Sequence, residues 1–486
     1  MDSADRRPPA AASFHLFTIG ERSFLFDPLT RTSFDLDPAG EVAARARLLG
    51  TDGAAVRTGA PRLDEAEVKA ASDELAQLQA RGYFAEDAGW PSLPQAPSKH
   101  AVAVTLSRRC NLRCRYCFTH NAARRGPAAL SAPLDMSPSV MEATATFIGG
   151  LWGSSRLDWP VIGVACAGEV ACQLELCDRF EALLKAESQH AGVEFPLSAW
   201  SGTNLTRLSD PAVLDRLLEL RCGGVSLDGP PEAHDAMRMH PDGRGTYADA
   251  RRGLDLLRAR GYGGGRVGAS LTGAYPDVLS VYQHLFELRF DAIAVKPVRS
   301  RPDQPYSIAK NLDRICEAYC RFAEWILSLP DGELREFLRR IMHVSGSSDY
   351  FGRFLERVLR RHLVQHRCPG GLYALEVDTD GQIYVCPGLT GVAEARLGSV
   401  REGLDDARVQ ELAREQHVSR RIPCRDCWAR LVCGGGCMHQ SYLTYGSLGP
   451  IDPSECLLNQ HLIELAIWVC SALRRERPQV LALISA

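Results

Sequence analysis

At 486 residues, with 45% hydrophobic and 24% charged residues and a formal net charge of −3, the chain has the make-up of a globular protein of two or three domains. The charge balance argues against a nucleic-acid partner, and no stretch approaches the ~20 apolar residues of a membrane span. Seventeen cysteines without an apolar secretion signal point to a reducing cytoplasm, where thiols serve as ligands rather than disulfides.

The Pro- and Ala-rich first residues read as a mobile tail. Phe14 to Phe84 then form a small α+β unit. Phe24-Leu25-Phe26 and Phe34-Asp35-Leu36 flank the Asp27-Pro28 turn signal and predict a hairpin. Leu48 and Leu49 end one helix. Val68, Ala71, Leu75 and Leu78 recur at helical spacing in a second, which Gly82 terminates. Taken alone, the unit is a subdomain that packs on the main body. Trp90 to Pro97 reads as a linker.

From His100 to Pro297 apolar runs alternate with helical segments. The runs are Ala101–Leu106, Val161–Cys166, Phe195–Trp200, Gly223–Leu227, Arg266–Leu271 and Ala292–Val295. The helical segments are Pro138–Leu151, Leu174–Glu187, Pro211–Leu220, Tyr247–Arg260 and Val278–Leu288. Six such repeats predict an α/β fold: a parallel sheet curled into a partial (β/α)6 barrel, with chemistry at the C-terminal strand ends. A helical bridge follows from Ala309 to about Arg361. Ala374–Val377 and Gln382–Val385, joined by Asp378-Thr-Asp-Gly381, predict a hairpin. Leu458, Leu462, Leu465 and Val469 mark a closing amphipathic helix. The expected divisions are residues 1–97, 98–300, 301–366 and 367–486.

Two cysteine arrays carry the chemistry. Directly after the first barrel strand stands Cys110-x3-Cys114-x2-Cys117, with Tyr116 ahead of the last thiol. The distal array runs from Cys368 through Gly381-x4-Cys386 to Cys424, Cys427, Cys433, Cys437 and Cys456. Three clustered thiolates can hold three corners of a four-iron cluster and leave one iron open, and seven more can hold further clusters. A zinc ribbon accounts for Cys424-x2-Cys427 but leaves the other distal thiols unexplained. Cys166, Cys172, Cys177, Cys222 and Cys470 read as small core residues. Cys316 and Cys320, one helical turn apart, stand out from them.

Cys110-Asn-Leu-Arg-Cys114-Arg-Tyr-Cys117 resembles the signature of the radical S-adenosylmethionine enzymes. The resemblance implies a [4Fe-4S] cluster whose open iron chelates S-adenosyl-L-methionine, and reductive cleavage to a 5′-deoxyadenosyl radical that abstracts a substrate hydrogen. Cys110, Cys114 and Cys117 are its catalytic and metal-binding residues. Ala167-Gly168-Glu169 looks like a degenerate Gly-Gly-Glu element that contacts the cofactor's amino group. Asn204 follows the third strand. Ser226-x-Asp228-Gly229-Pro230, His234-Asp235 and Arg238 match a signature of peptide-modifying members, with Ser226 and Arg238 candidates for the cofactor's carboxylate or ribose. For His234 and Arg238 a helix-start hydrogen-bond network stands as an equal reading.

The distal array matches the SPASM extension of a subset of these enzymes, cysteine for cysteine. That resemblance assigns Cys424, Cys427, Cys433 and Cys456 to one auxiliary cluster and Cys368, Cys386 and Cys437 to another. Fully ligated relatives carry a further Cys shortly before the first of the seven; here Arg361–Arg367 has none. Either an iron is open to a substrate thiolate, or His362, His366 or another group fills the place. The N-terminal unit resembles the leader-binding domains of peptide maturases, which bind an extended leader as an added strand.

The expected function is maturation of a precursor peptide or small protein, with a thioether from a Cys sulfur to carbon as the favoured product and a C–C cross-link next. An external one-electron donor such as flavodoxin or ferredoxin is implied. An anaerobic sulfatase maturase, which makes formylglycine, is the alternative, although Pro387 stands where those relatives place an Asp after the cysteine. A non-enzymatic iron–sulfur relay fits the open three-cysteine motif less well.

Overall fold

The computed structural model describes residues 13–50, 63–85, 100–119, 132–153, 157–164, 167–193, 195, 199–200, 202–220, 222–342, 349–368, 370–372 and 374–485. The expected tail and the Trp90–Pro97 linker lie outside these, as does Cys166.

The N-terminal unit opens with strands β1 (His15–Ile19), β2 (Arg22–Asp27) and β3 (Thr32–Leu36), paired antiparallel in that order. The predicted hairpin is β2–β3, in register from Asp27↔Thr32 to Ser23↔Leu36. Its turn holds because the buried Asp27 carboxylate accepts the backbone N–H of Leu29 (2.8 Å) and of Phe84 (3.1 Å). Period-two alternation sends the two faces of β2 in opposite directions. Leu25 joins Ala43, Ala44, Leu75 and Phe84 in a small core under the helices Pro38–Leu49 and Glu65–Ala80. Phe24 and Phe26 enter the main core, where Phe26 meets Trp428 edge-on. The unit thus shares its inner face with the body.

In the body, β4 (His100–Val104), β5 (Leu157–Val164) and β6 (Ala199–Trp200) pair in parallel, as do β7 (Val225–Ser226), β8 (Arg266–Leu271) and β9 (Ala292–Pro297). A parallel bridge between Thr203 and Val225 joins the two halves into one curved run of six strands. The helices Pro138–Gly153, Leu174–His190, Pro211–Glu219, Tyr247–Ala259 and Val278–Glu287 fall on the predicted segments. Alternation in β8 puts Val267, Ala269 and Leu271 in the core and leaves Arg266, Gly268 and Ser270 half-buried on the other, concave face.

Where the barrel would close, the distal array supplies a strand. Strand β10 (Ala374–Val377) pairs in parallel with β4, from Ala374↔Ala101 to Val377↔Val104. Antiparallel β11 (Gln382–Tyr384), β12 (Arg396–Ser399) and β13 (Gly403–Leu404) follow outward. The predicted helical bridge resolves into Leu312–Ser328, Asp331–Met342 and Tyr350–Leu359. The buried Asp349 carboxylate caps the last of these and accepts the Val295 N–H (2.8 Å) on the free edge of β9. The closing helix spans Pro453–Glu476 with Leu458, Leu462, Leu465 and Val469 fully buried. By length and composition it could cross a membrane, yet 67% of its most apolar window is buried in protein, as befits a core helix.

Candidate active site and thiol groups

Every described cysteine carries a free thiol. Ten of these thiols fall into three groups, each set by mutual charge interaction. The first is Cys110, Cys114 and Cys117, on the loop that leaves β4. The second is Cys368, Cys386 and Cys437. The third is Cys424, Cys427, Cys433 and Cys456. Burial pushes Cys110 up to about 12, Cys114 to about 11, Cys424 to about 12 and Cys427 to about 11. Such thiols give up their protons only to a metal. Among the described residues no three His, Cys, Asp or Glu side chains close around a single ion. The donor set of each thiol group is the soft one iron–sulfur clusters take.

The first loop is clamped from two sides. Arg113 and Arg115 donate backbone N–H groups to Met239 (2.8 Å) and Met237 (2.9 Å). On the other side the Glu169 N–H donates to the Arg109 carbonyl (2.8 Å). Gly168 sits between them at φ 74°, and a Cβ there would lie 2.5 Å from the Arg109 oxygen, so only glycine fits. Glu169 is buried and accepts from Thr203 Oγ1 (2.5 Å), Asn204 N (2.8 Å) and Ala171 N (3.2 Å). Burial pushes its carboxyl up, opposed by those bonds. Ala167 contributes a carbonyl to Gln173 Nε2 (3.2 Å). Asn204 Nδ2 lies 3.9 Å from Cys110 Sγ and 3.0 Å from Asn111 Oδ1, which brings the third strand end to the cysteine loop.

Asp228 is the hub of the fourth strand end. One carboxylate oxygen accepts from Tyr116 Oη (2.6 Å) and Arg238 Nε (2.9 Å), and the other from Ser270 N (2.9 Å). Arg238 lies over the Tyr116 ring at 5.6 Å and supplies the charge nearest Cys114. His234 Nδ1 accepts the Asp228 N–H (3.3 Å), and its Nε2 meets Thr246 Oγ1 (3.0 Å). Burial, then Arg238, lowers His234 to about 4, so it is a neutral buttress, as the helix-start reading has it. Ser226 ends β7 half-buried, its N–H donating to Thr203.

Two amides that the sequence did not single out serve the third group. Gln460 Nε2 lies 3.5 Å from Cys427 Sγ and 3.6 Å from Cys456 Sγ, and Asn459 Nδ2 lies 3.6 Å from Cys433 Sγ. Both follow Cys456 by one helical turn, so the i,i+3 and i,i+4 rule was the available signal. Gly434, at φ 76°, lets the loop pass against Val364 and the His366 backbone.

The second group has three thiols among the described residues. His362 is exposed, and His366 Nε2–H donates to the Ala413 carbonyl (2.8 Å). A small cavity of about 10 Å³, room for roughly one water, lies beside Cys368, lined in part by His366, Gln416, Arg421, Gly436 and Met438. Glu376, on β10 and fully buried, was also missed. Thr105 Oγ1 donates to its Oε1 (2.6 Å), its Oε2 has no hydrogen-bond partner, and burial pushes it up to about 8. Cys316 and Cys320 flank His461, whose Nε2 lies 3.0 Å from the Cys316 carbonyl and 3.6 Å from Cys320 Sγ.

No family model matches the chain. It is 24% identical over 365 residues to a serine-type anaerobic sulfatase-maturating enzyme of Klebsiella aerogenes, an alignment spanning 71% of this chain and 81% of that protein. The Klebsiella pneumoniae protein of the same name aligns over 368 residues at 24% identity, covering 71% and 83%. Among solved structures, anSMEcpe with bound AdoMet and the Cp18Cys peptide superposes with a TM-score of 0.59 at 18% identity. That match covers 80% of this chain and 99% of the other, and the two share a fold.

Proposed function

We propose that the chain is a radical S-adenosylmethionine/SPASM maturase acting on a peptide substrate, and that it forms a thioether between a Cys sulfur and a carbon of that substrate. When bound, the clusters and S-adenosylmethionine supply a radical that takes a hydrogen atom from the substrate carbon and a sink for the electron then released.

The protein's own residues do the rest. Cys110, Cys114 and Cys117 hold the first cluster on a loop fixed by Met237, Met239 and Glu169. Ala167, Gly168 and Glu169 shape a backbone edge that would receive the cofactor's amino group. Asn204, Ser226 and Arg238 line the neighbouring strand ends, with Asp228 aiming the Arg238 guanidinium. Cys424, Cys427, Cys433 and Cys456 hold one auxiliary cluster and Cys368, Cys386 and Cys437 the other. Flavodoxin or ferredoxin delivers the electron. The N-terminal sheet, whose β1 and β3 have no second strand partner among the described residues, takes the leader as an added strand.

The observation that carries the thioether reading is the three-thiol group of Cys368, Cys386 and Cys437, with His366 turned away to Ala413. A substrate thiolate at that place lies fixed for coupling, and holding both partners favours bond formation over escape. Formylglycine formation is the second reading, favoured by the names of the two Klebsiella relatives. Pro387 after Cys386 weighs against it.

Anaerobically reconstituted enzyme, reduced with S-adenosylmethionine, should release 5′-deoxyadenosine. Changing Cys110, Cys114 and Cys117 together to Ala should abolish that release, and persistent cleavage would overturn the assignment. With a cognate Cys-bearing peptide as substrate, a thioether product loses a hydrogen pair and resists thiol alkylation. A hydrazine-reactive aldehyde would instead establish formylglycine.

A further inference from the structure

Lys296 is the last-but-one residue of β9, the sixth barrel strand. Its neighbours Ile293 and Val295 are fully buried in the core under the outer helices. Period-two alternation therefore turns Lys296 the other way, onto the concave face, with Ala294 below it. It pairs with Ser270, whose N–H donates to Asp228, the hub that holds Tyr116 and Arg238 of the first thiol group. On its other side it lies within the field of Cys368. The side chain thus stands on the concave face at the C-terminal end of the barrel strands, beside the hub of the first thiol group.

Its charge is not matched. The Lys296 side chain makes no hydrogen bond or ion pair with any described residue. The nearest strong charges besides Cys368 are Arg353 and Arg266, both of its own sign, and Asp349. The Asp349 carboxylate already accepts from Tyr282, Val295, Phe351 and Gly352. Glu455, the other buried acid of this region, is engaged by Arg299 (2.9 Å) and Arg367 (3.8 Å). Burial first, and Arg353 next, lower the ammonium to about 8, opposed by Asp349 and Cys368. A cation half-buried on a concave face, among like charges, is costly unless a ligand supplies the counter-charge.

We propose that Lys296 anchors a carboxylate of the peptide substrate, an Asp or Glu side chain or a terminal carboxylate close to the modified residue. The proposal rests on the reading that this concave face receives a peptide. It makes the enzyme selective for acidic sequence next to the reacting carbon.

The test uses the full-length reconstituted enzyme with S-adenosylmethionine and a synthetic library of heptapeptides with a central Cys and randomised flanks. Retained peptides are sequenced. Wild type should favour Asp over Asn and Glu over Gln by roughly tenfold, the scale of a charge-assisted hydrogen bond. Lys296→Met should abolish the preference, Lys296→Glu should turn it toward Lys and Arg, and Lys296→Arg should keep it. The arginine variant guards against misfolding of the others. Retention without acidic preference, or a preference that survives Lys296→Met, overturns this proposal alone. If no peptide is retained, the peptide-substrate reading of this face falls with it. If Lys296→Met weakens S-adenosylmethionine binding tenfold while acidic peptides stay favoured, the ammonium serves the cofactor's own carboxylate, and the proposal is likewise wrong.

Discussion

Arg108 and Asp378, 270 residues apart, form a buried ion pair that joins the start of the first cysteine loop to the tip of the β10–β11 hairpin. Arg108 Nη1 also donates to Thr379 Oγ1 (2.8 Å) and to the Pro133 carbonyl (2.9 Å). The side chains are 5% and 2% exposed, so neither charge can turn to water if the other is removed. The pair therefore ties the first cysteine loop to the distal array at this point.

Arg108→Leu should then destabilise the protein by ~3–5 kcal/mol, the usual cost of stranding one partner of a buried pair. Arg108→Leu with Asp378→Leu should recover a good part of that loss. Thermal unfolding of both variants checks this, and equal losses in the single and double variants would show that packing rather than charge dominates.

Glu376 predicts a pH dependence of definite sign. Burial raises its carboxyl from 4.5 to about 8. Between those values the unfolded chain releases the proton and the native protein keeps it, so this group's contribution to stability falls as pH rises and levels off above about pH 8. Glu376→Gln keeps an acceptor for Thr105 and cannot ionise. Its apparent melting temperature should approach that of wild type near pH 5 and exceed it by several degrees at pH 8.5. A constant offset across that range would show that the carboxyl titrates normally.

Much of this architecture was legible locally. The six strands and five helices of the barrel follow from period and punctuation, because each is decided by its own residues packing on one core. The hairpins at Asp27-Pro28 and Asp380-Gly381 follow from turn chemistry. Strand β1 was not read, since His15-Leu-Phe-Thr-Ile19 carries little alternation and owes its place to pairing with β2. The parallel pairing of β10 with β4 is invisible in sequence, because it depends on a closure spanning some 270 residues. At the site, motif spacing supplied the thiols, while the commitment of Arg238 to Asp228 is a matter of side-chain direction that spacing does not encode. Glu376 sits in an unremarkable strand, and only its burial marks it out.

The packing of the N-terminal unit changes what its deletion should do. The His15 ring stacks on Trp428 at 3.8 Å, and its Nε2 meets Glu464 (2.8 Å) on the Pro453–Glu476 helix. Leu29 packs against the small cluster that contains Cys424 and Cys456. Removing residues 1–97 would uncover Trp428 and these two thiols together. The truncated protein should lose about one cluster's worth of iron, along with solubility, rather than leader affinity alone. Iron analysis after anaerobic reconstitution decides the matter, and full iron content in the truncated protein would mean that the unit is separable.

The last prediction concerns the fourth position of the group formed by Cys368, Cys386 and Cys437. His366 spends its Nε2–H on the Ala413 carbonyl and rests edge-on against His417 at 5.2 Å, while His362 is exposed. Ligation by His366 through that nitrogen would break a bond that already holds the ring. A thiolate from outside is a softer donor than imidazole and one whose proton iron readily displaces, so it suits the fourth position better than His366. Changing His362 and His366 to Ala should accordingly leave the spectrum of this cluster nearly unchanged in the absence of substrate. Adding the Cys-bearing peptide should shift it, and the same peptide with Ser in place of Cys should not. A spectrum that responds to the His changes and ignores the peptide would mean a closed site, with electron relay as the cluster's remaining role.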